Sequence, residues 1–247
     1  MISKTKLKEL AAYRQQKKCD EEGVFIVEGI KMANEALATD ADIRCICASS
    51  EWLSTHTVPT TVQTFEVSPT ELERLSLMQT PNQVWMLIAR SVPELSYYPG
   101  NNITLVLDRL QDPGNLGTIL RTADWFGIRQ VVCSNDTVSC YNSKVVQATM
   151  GAIFRTQINY TSLPDWLSSY NHPIYGASLH GHPFDRDSLQ TPCALIIGNE
   201  SRGISKEVMT HVSHPLLIPN IGGTAESLNA AVATGILLHQ LCTNLTH

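Results

Sequence analysis

Short apolar runs alternate with helical periodicity along most of this chain. In the first part, strand-like runs occupy residues 24–27, 43–47, 62–67 and 83–89, and helical patterns occupy residues 3–18 and 29–38. Ser68 can cap a further helix, Pro69 suits its first turn, and Glu71 completes a capping box. The pattern predicts a small α/β domain over residues 1–92.

A second domain is predicted from residue 103 to residue 247, after a linker at residues 93–102 that is rich in Pro, Ser, Gly and Asn. Strands are predicted at residues 103–108, 130–133, 154–158, 174–178, 194–198 and 216–218. Helices are predicted at about 115–126, 143–150, 163–169, 205–212 and 226–242. Such alternation predicts a mostly parallel sheet that is covered by helices on both faces.

Composition places the chain among globular proteins with a sizeable core, since 43% of its residues are hydrophobic and 17% are charged. No apolar run approaches the ~20 residues that a membrane-spanning helix needs, so no membrane contact is expected. The net charge of −5 is unusual for a nucleic-acid binder, but cations are concentrated at the start of the chain. These cations are Lys4, Lys6, Lys8, Arg14, Lys17 and Lys18. Because this basic start has no clear cleavage signal, we expect a cytoplasmic protein.

The seven cysteines are dispersed and form no CxxC pair, which indicates reduced thiols and argues against a zinc site. His211 and His214 have the spacing of neighbours on a helix, and Pro215 is expected to end that helix. Histidine is favoured near a helix end by the helix dipole, so this pair does not predict a metal site.

Polar residues follow several predicted strands. Asn115 and Arg121 come after the strand at 103–108, and Gly198-Asn199-Glu200 ends the strand at 194–198. Ser227-Leu228-Asn229 opens the last helix, for which Glu226 or Ser227 is the expected cap. Each group alone could be a turn, a cap or a surface charge. Together they predict an active site, because ligands bind at the carboxyl ends of parallel strands.

In order and approximate spacing, these groups resemble the three signature motifs of the SpoU (TrmH-type) RNA 2′-O-ribose methyltransferases of the SPOUT superfamily. The motifs are Asn115 with Arg121, Gly198-Asn199-Glu200 with Gly203, and Ile218-Pro219 with Ser227-Leu228-Asn229. The first domain resembles, more weakly, the small ribosomal-protein-like RNA-binding domain that many members carry, through Val27-Glu28-Gly29.

The resemblance implies a fold, a cofactor and a quaternary state. The fold is a parallel sheet whose C-terminal segment forms a deep trefoil knot, which periodicity alone could not predict because knots are so rare. The knot binds S-adenosyl-L-methionine, here through Gly198, Asn199, Ile218 and Leu228, with Ala177-Ser178 as a weaker candidate. Members usually act as homodimers, and the substrate is RNA, either tRNA or rRNA.

The resemblance also implies the catalytic set Asn115, Arg121, Glu200, Ser227 and Asn229. Arg121 would act near the ribose 2′-hydroxyl, either as a base or as an electrostatic activator; a guanidinium normally stays protonated, which favours activation. No metal is needed, since the methyl carbon of a sulfonium is already electrophilic.

Two other classes of function are considered. A non-catalytic RNA-binding or ribosome-assembly protein could keep this fold, but the complete polar set argues against it. A nucleotide-dependent oxidoreductase would suit the α/β pattern, yet no GxGxxG follows the strand at 103–108 and no P-loop occurs.

Overall fold

The computed structural model describes residues 2–91 and 103–243, so the predicted linker at 93–102 lies outside the described residues. The described residues form two units. One contains residues 2–91 together with Tyr141–Phe154, and the other contains residues 103–140 and 155–243.

The elements of residues 2–91 are helices and strands in alternation. They are α1 (Lys4–Ala11), α2 (Gln16–Glu21), β1 (Val24–Glu28), α3 (Ile30–Leu37), β2 (Ile43–Ala48), α4 (Ser50–Thr55), β3 (Gln63–Glu66), α5 (Pro69–Leu75) and β4 (Val84–Ala89). A short 3-10 turn, Ala12–Arg14, separates α1 from α2. The predicted helix at 3–18 is thus broken in two, and α4 was not predicted.

The first unit is built on a four-stranded sheet in the order β1-β4-β2-β3. β4 pairs antiparallel with both β1 and β2, whereas β2 and β3 are parallel. Leu7 and Leu10 of α1 and Leu72 and Leu75 of α5 are buried in a core that these helices share with the sheet. The predicted capping box of α5 is confirmed: Ser68 Oγ accepts from the Glu71 N–H, and the Glu71 carboxylate accepts from the Ser68 N–H at 2.7 Å.

The elements of the rest of the chain follow the same alternation. They are β5 (Ile103–Leu107), α6 (Pro113–Trp125), β6 (Gln130–Ser134), α7 (Ser143–Thr149), β7 (Gln157–Thr161), α8 (Leu163–Ser168), β8 (Ile174–Pro183), β9 (Cys193–Ile197), α9 (Lys206–Met209), β10 (His214–Leu217) and α10 (Ala230–Cys242).

Helix α7 belongs to the first unit, although it lies between β6 and β7 in the chain. The Gln147 side chain of α7 donates to the backbone carbonyl of Glu28 at the end of β1, at 3.0 Å. The following turn, Ala152–Phe154, places the Phe154 ring 6.3 Å from the Phe25 ring. Hydrophobic patterning could not predict this, because it does not say which core an apolar face joins.

The second unit contains a six-stranded sheet in the order β10-β8-β9-β5-β6-β7, and all of its strand pairs are parallel. The predicted parallel sheet is therefore confirmed. All residues of the central strands β5, β6 and β9 are buried, as expected for strands that helices cover on both faces.

Several predicted boundaries in this unit are wrong. The strand expected at 154–158 is β7 at Gln157–Thr161, because Phe154 packs in the first unit. The helix expected at 205–212 ends at Met209, and His214 lies in β10 beside Tyr175 instead of at a helix end. Pro215 is tolerated there because β10 is an edge strand, where a missing N–H disrupts no interior ladder.

The last helix was predicted to start at residue 226, but it starts at Ala230. Its N-cap is Asn229, whose Oδ1 accepts from the N–H groups of Ala231 (2.9 Å) and Val232 (3.3 Å). The expected caps Glu226 and Ser227 lie in the exposed loop before it. Asn and Ser cap about equally well, so residue type alone could not distinguish the positions.

No helix in residues 2–91 or 103–243 has the length and apolar content needed to cross a membrane. All seven cysteines are free thiols, and six of them are buried. Burial raises the pKa of the partly buried Cys242 thiol to about 11.

Candidate active site

The polar residues predicted to form a site lie at one edge of the second sheet. Asn115 is in the first turn of α6, after β5; Glu200 follows β9; and Asn229 caps α10, after β10. Because the strands are parallel, their carboxyl ends share that edge. The start of α6 is set locally, since Asp112 Oδ1 accepts from the Asn115 N–H at 2.7 Å and Pro113 occupies the first turn.

A chain of hydrogen bonds joins the three signature segments through Asn115. Its Nδ2 donates to Glu200 Oε1 at 2.9 Å, and its Oδ1 accepts from Asn229 Nδ2 at 2.9 Å. The structure therefore brings together Asn115, Glu200 and Asn229, as predicted.

The direction of this chain follows from its ends. Asn229 Oδ1 already accepts two backbone N–H groups of α10, so only its Nδ2 is left to face Asn115. An ionised Glu200 can only accept, so it requires Nδ2 of Asn115. Both amide orientations are consistent with every hydrogen bond in the chain.

The loop after β9 closes on itself immediately behind Glu200. Asn199 and Gly203 exchange backbone hydrogen bonds at 3.0 and 2.9 Å. Asn199 Oδ1 accepts from the N–H groups of Ser201 and Arg202, and its Nδ2 donates to Glu200 Oε2 at 3.3 Å. A Cβ at Gly198 would lie 2.2 Å from the carbonyl carbon of Gly203, so this closure requires glycine at position 198.

Arg121 is the one predicted catalytic cation, and it stands apart from the hydrogen-bonded chain. It lies on the exposed face of α6, about 9 Å beyond Asn115 along the helix axis. In the part of the chain that the structure describes, no side chain forms a hydrogen bond or ion pair with its guanidinium. The expectation that Asn115 and Glu200 hold Arg121 in place is not met by a direct contact, and its donors are available to a ligand.

The predicted cofactor residues lie in two loops. Gly198 and Asn199 belong to the loop after β9, which is closed as described above. Ile218 follows β10 and is half-buried, whereas Leu228 is 47% exposed in the loop that precedes α10. Ser227 is exposed in the same loop. Ser227 and Leu228 are outside any helix or strand, so their backbone N–H and C=O groups are not used by secondary structure.

Two residues near the site were missed in the sequence. Asp108 is 2% exposed, and its Oδ2 accepts from the Ser205 N–H at 2.6 Å, which ties the end of β5 to the start of α9. Arg109 has a φ of 58°, and its backbone carbonyl accepts from Asn199 Nδ2 at 2.8 Å. A charged pair directly after a fully apolar strand was the available signal.

No group of three or more His, Cys, Asp or Glu side chains within the described residues is arranged to hold a metal ion. His214 Nδ1 is instead 2.8 Å from Ser213 Oγ.

Two family models match the chain. The model of the SpoU rRNA Methylase family matches residues 102–239, and that of the MRM3-like substrate binding domain matches residues 4–85. The chain belongs to the SpoU methylase family. The first match covers all three segments that Asn115 joins, and the second covers most of the first unit.

Relatives within the family align over nearly the whole chain. A 23S rRNA (guanosine(2553)-2′-O)-methyltransferase of Bacillus subtilis is 30% identical over 96% of this chain and 95% of its own length. A 23S rRNA (uridine(2479)-2′-O)-methyltransferase of Streptomyces viridochromogenes is 26% identical over 88% of this chain and 82% of its own. The structure of an AdoMet-bound rRNA methyltransferase of Sinorhizobium meliloti superposes with a TM-score of 0.87 and 29% identity, over 100% of this chain and 98% of that one.

Proposed function

We propose that this chain transfers the methyl group of S-adenosyl-L-methionine to a ribose 2′-hydroxyl of RNA. The observation that carries the proposal is the hydrogen-bonded chain of Glu200, Asn115 and Asn229, which joins the three segments of the SpoU family. Relatives of nearly equal length are RNA 2′-O-methyltransferases, and one such structure holds the cofactor.

The loops around the site fit a nucleoside cofactor. Leu228 offers a half-exposed apolar side chain, and the backbone groups beside it are not used by secondary structure. Apolar walls with a few well-placed polar groups are the usual lining of a cofactor site. We assign Gly198, Asn199, Ile218 and Leu228 to this site. When bound, the sulfonium supplies an electrophilic methyl carbon.

Arg121 is assigned to the reacting hydroxyl. A ribose 2′-hydroxyl is a poor nucleophile at neutral pH, so its developing negative charge must be stabilised as its proton leaves. An exposed guanidinium without a partner in the described chain can donate to that oxygen and to a neighbouring phosphate. It acts as an electrostatic activator, because arginine rarely loses its proton in proteins.

Asn115, Glu200 and Asn229 position the reactants. Each amide orientation is determined by its neighbour, so the group presents fixed donors and acceptors at the start of α6 and α10. Correct placement of two reactants can supply ~7–11 kcal/mol of the barrier reduction. Ser227 is assigned to the nucleotide because it is exposed beside this group.

We also infer a trefoil knot, a homodimer and a cytoplasmic location. Family membership supports the knot, and seven free thiols support a reducing compartment. The dimer is supported by two apolar side chains on helices that pack together: Trp125 of α6 is 85% exposed and Val232 of α10 is 51% exposed. A tryptophan that is exposed in one chain is typical of a residue that a second chain covers.

The RNA is rRNA in the relatives described above, so we favour rRNA over tRNA. The nucleotide cannot be transferred from them, since one acts on a guanosine and the other on a uridine.

The function is tested by incubating the protein with tritiated S-adenosylmethionine and total RNA from cells that lack this chain. Label should appear in RNA, at a ribose that resists alkaline cleavage. Arg121→Ala should lower the turnover by about 10²-fold or more while cofactor affinity changes by less than about tenfold. Thr118→Ala, on the exposed face of the same helix, is the matched control.

Cofactor binding without label in any RNA would contradict the proposal and favour a non-catalytic RNA-binding protein. Near-normal turnover of Arg121→Ala would contradict only the role of that residue.

A further inference from the structure

Three exposed apolar side chains of the first unit lie beside one buried carboxyl group. Ile30 begins α3 and is 36% exposed, and Leu77 and Met78 follow α5 and are 40% and 37% exposed. Nothing in the catalytic proposal uses them, and large apolar side chains are seldom left in water in adjacent positions without a role.

Glu28 connects the two segments that carry these side chains. It is 4% exposed, and its carboxylate accepts from the Ser76 hydroxyl and from the Leu77 N–H, the latter at 2.9 Å. The Met78 N–H donates to Ser76 Oγ at 3.0 Å. Ile30 is only two residues from Glu28, so the three apolar side chains are held at one place by a defined backbone.

Two exposed cations border this place. Lys31 is next to Ile30, and Arg14 is close enough to Glu28 for its charge to act on that carboxyl. Burial, the largest influence, raises the pKa of Glu28, while the hydrogen bonds from Ser76 and Leu77 and the charge of Arg14 act against it. We call Arg14, Ile30, Lys31, Leu77 and Met78 the Glu28 patch.

The cations of the patch differ from several others in the basic start of the chain. Lys6, Lys17 and Lys18 each lie within ion-pair distance of a glutamate. Neither Arg14 nor Lys31 has an ion-pair partner within the described residues. Their positive charge is therefore available to an external anion.

We propose that the Glu28 patch binds an unpaired segment of the RNA substrate, with a base against Ile30, Leu77 and Met78 and phosphates at Arg14 and Lys31. The proposal rests on the proposed function. Cations that flank an apolar surface complement a nucleic-acid backbone with an unstacked base, whereas a paired helix would offer no base face. The patch lies within the segment that matches a substrate binding domain.

The experiment compares variants of the full chain, using total RNA from cells that lack the protein as the probe. Filter binding at several KCl concentrations measures affinity and its salt dependence, and methyl incorporation measures KM and kcat. Arg14→Ala and Lys31→Ala should each weaken binding and reduce the slope of log K against log salt by about 0.7. Lys17→Ala, whose ammonium group is paired with Glu21, is the matched control and should leave the slope unchanged.

The variant Leu77→Ala/Met78→Ala tests the apolar part. It should weaken RNA binding by about tenfold without changing the salt slope, and it should raise KM while kcat and cofactor affinity stay the same. Thermal unfolding checks its fold, and the two charge variants remain informative if it is unstable.

The proposal is overturned if the patch variants bind RNA as the wild type does, or if Lys17→Ala has the same effect as Lys31→Ala. It is also overturned if they change only the oligomeric state, which would identify a protein interface. If the wild type binds RNA but incorporates no label, the proposed function fails, and the binding comparison still decides the role of the patch.

Discussion

At the scale of single residues, Asn115 is the centre of the site because it uses both ends of its amide. It donates to Glu200 and accepts from Asn229, which are 85 and 114 positions away in the sequence. No other side-chain type has one donor end and one acceptor end in so short a reach, except that glutamine has them on a longer stem.

Asn115→Asp should reveal this requirement. The substituted side chain keeps an acceptor for Asn229, but its other oxygen faces the Glu200 carboxylate. Two like charges at that distance raise the pKa of one carboxyl, so a proton is shared between them only at lower pH. Methyl transfer should fall by about tenfold or more at neutral pH, and part of it should return as the pH is lowered.

The pH profile of incorporation measures this recovery, and Asn115→Ala is its control. Alanine cannot share a proton with Glu200, so its activity should show no such recovery at low pH. Equal profiles for both variants would mean that the donor from Asn115 to Glu200 is unimportant.

At the scale of elements, the N-terminus of α10 combines helix capping with the chemistry of the site. Asn229 uses Oδ1 for the helix and Nδ2 for Asn115, so one side chain serves stability and position together. Substitution can separate the two roles.

Asn229→Ser keeps a good cap but is too short to reach Asn115, whereas Asn229→Ala loses both interactions. The alanine variant should be about 1 kcal/mol less stable than wild type, and the serine variant should be within a few tenths of a kcal/mol. Both should lose methyl transfer to a similar degree. Urea unfolding and label incorporation measure the two effects; full activity in the serine variant would show that the bond to Asn115 is dispensable.

The loop after β9 requires glycine for different reasons at its two ends. Gly198→Ala should abolish cofactor binding, because its Cβ would overlap the Gly203 backbone and force the loop open. Gly203 has a φ of 66° with no atom within 4 Å of its Cβ position, so Gly203→Ala should cost only about 1–2 kcal/mol of stability. Calorimetric titration with S-adenosylmethionine compares them, and similar affinities would contradict this difference.

At the scale of the whole molecule, apolar surface separates into two patches with different expected partners. Trp125 and Val232 lie on α6 and α10 of the second unit, and no cation of the described chain is needed to explain their exposure. Leu77 and Met78 lie in the first unit, in the patch that Arg14 and Lys31 border.

Trp125→Glu should therefore yield a monomer, since it places a charge at the centre of the proposed dimer contact. Leu77→Glu should leave the dimer intact and weaken RNA binding instead. Size-exclusion chromatography with light scattering measures both masses. A dimer of unchanged stability in Trp125→Glu would place the contact elsewhere.

Much of the architecture could be predicted because it depends on local pattern. Alternating apolar runs and helical periods predicted the parallel sheet, and the Ser68-to-Glu71 spacing predicted a capping box that the structure contains. The boundaries that failed depend on distant partners. Phe154 joins the core of the first unit, and Asn229 caps α10 in place of Ser227.

The sequence by itself determined the order of strands and helices, the reduced thiols and the identity of the polar residues, because these follow from residue type and short spacing. Only the tertiary structure decided that Asn115 touches both Glu200 and Asn229, that Arg121 stands apart from them, and that α7 belongs to the first unit. The physical reason is that such contacts join segments far apart in the chain. Side-chain periodicity gives the face that each element buries, but not the element that covers it.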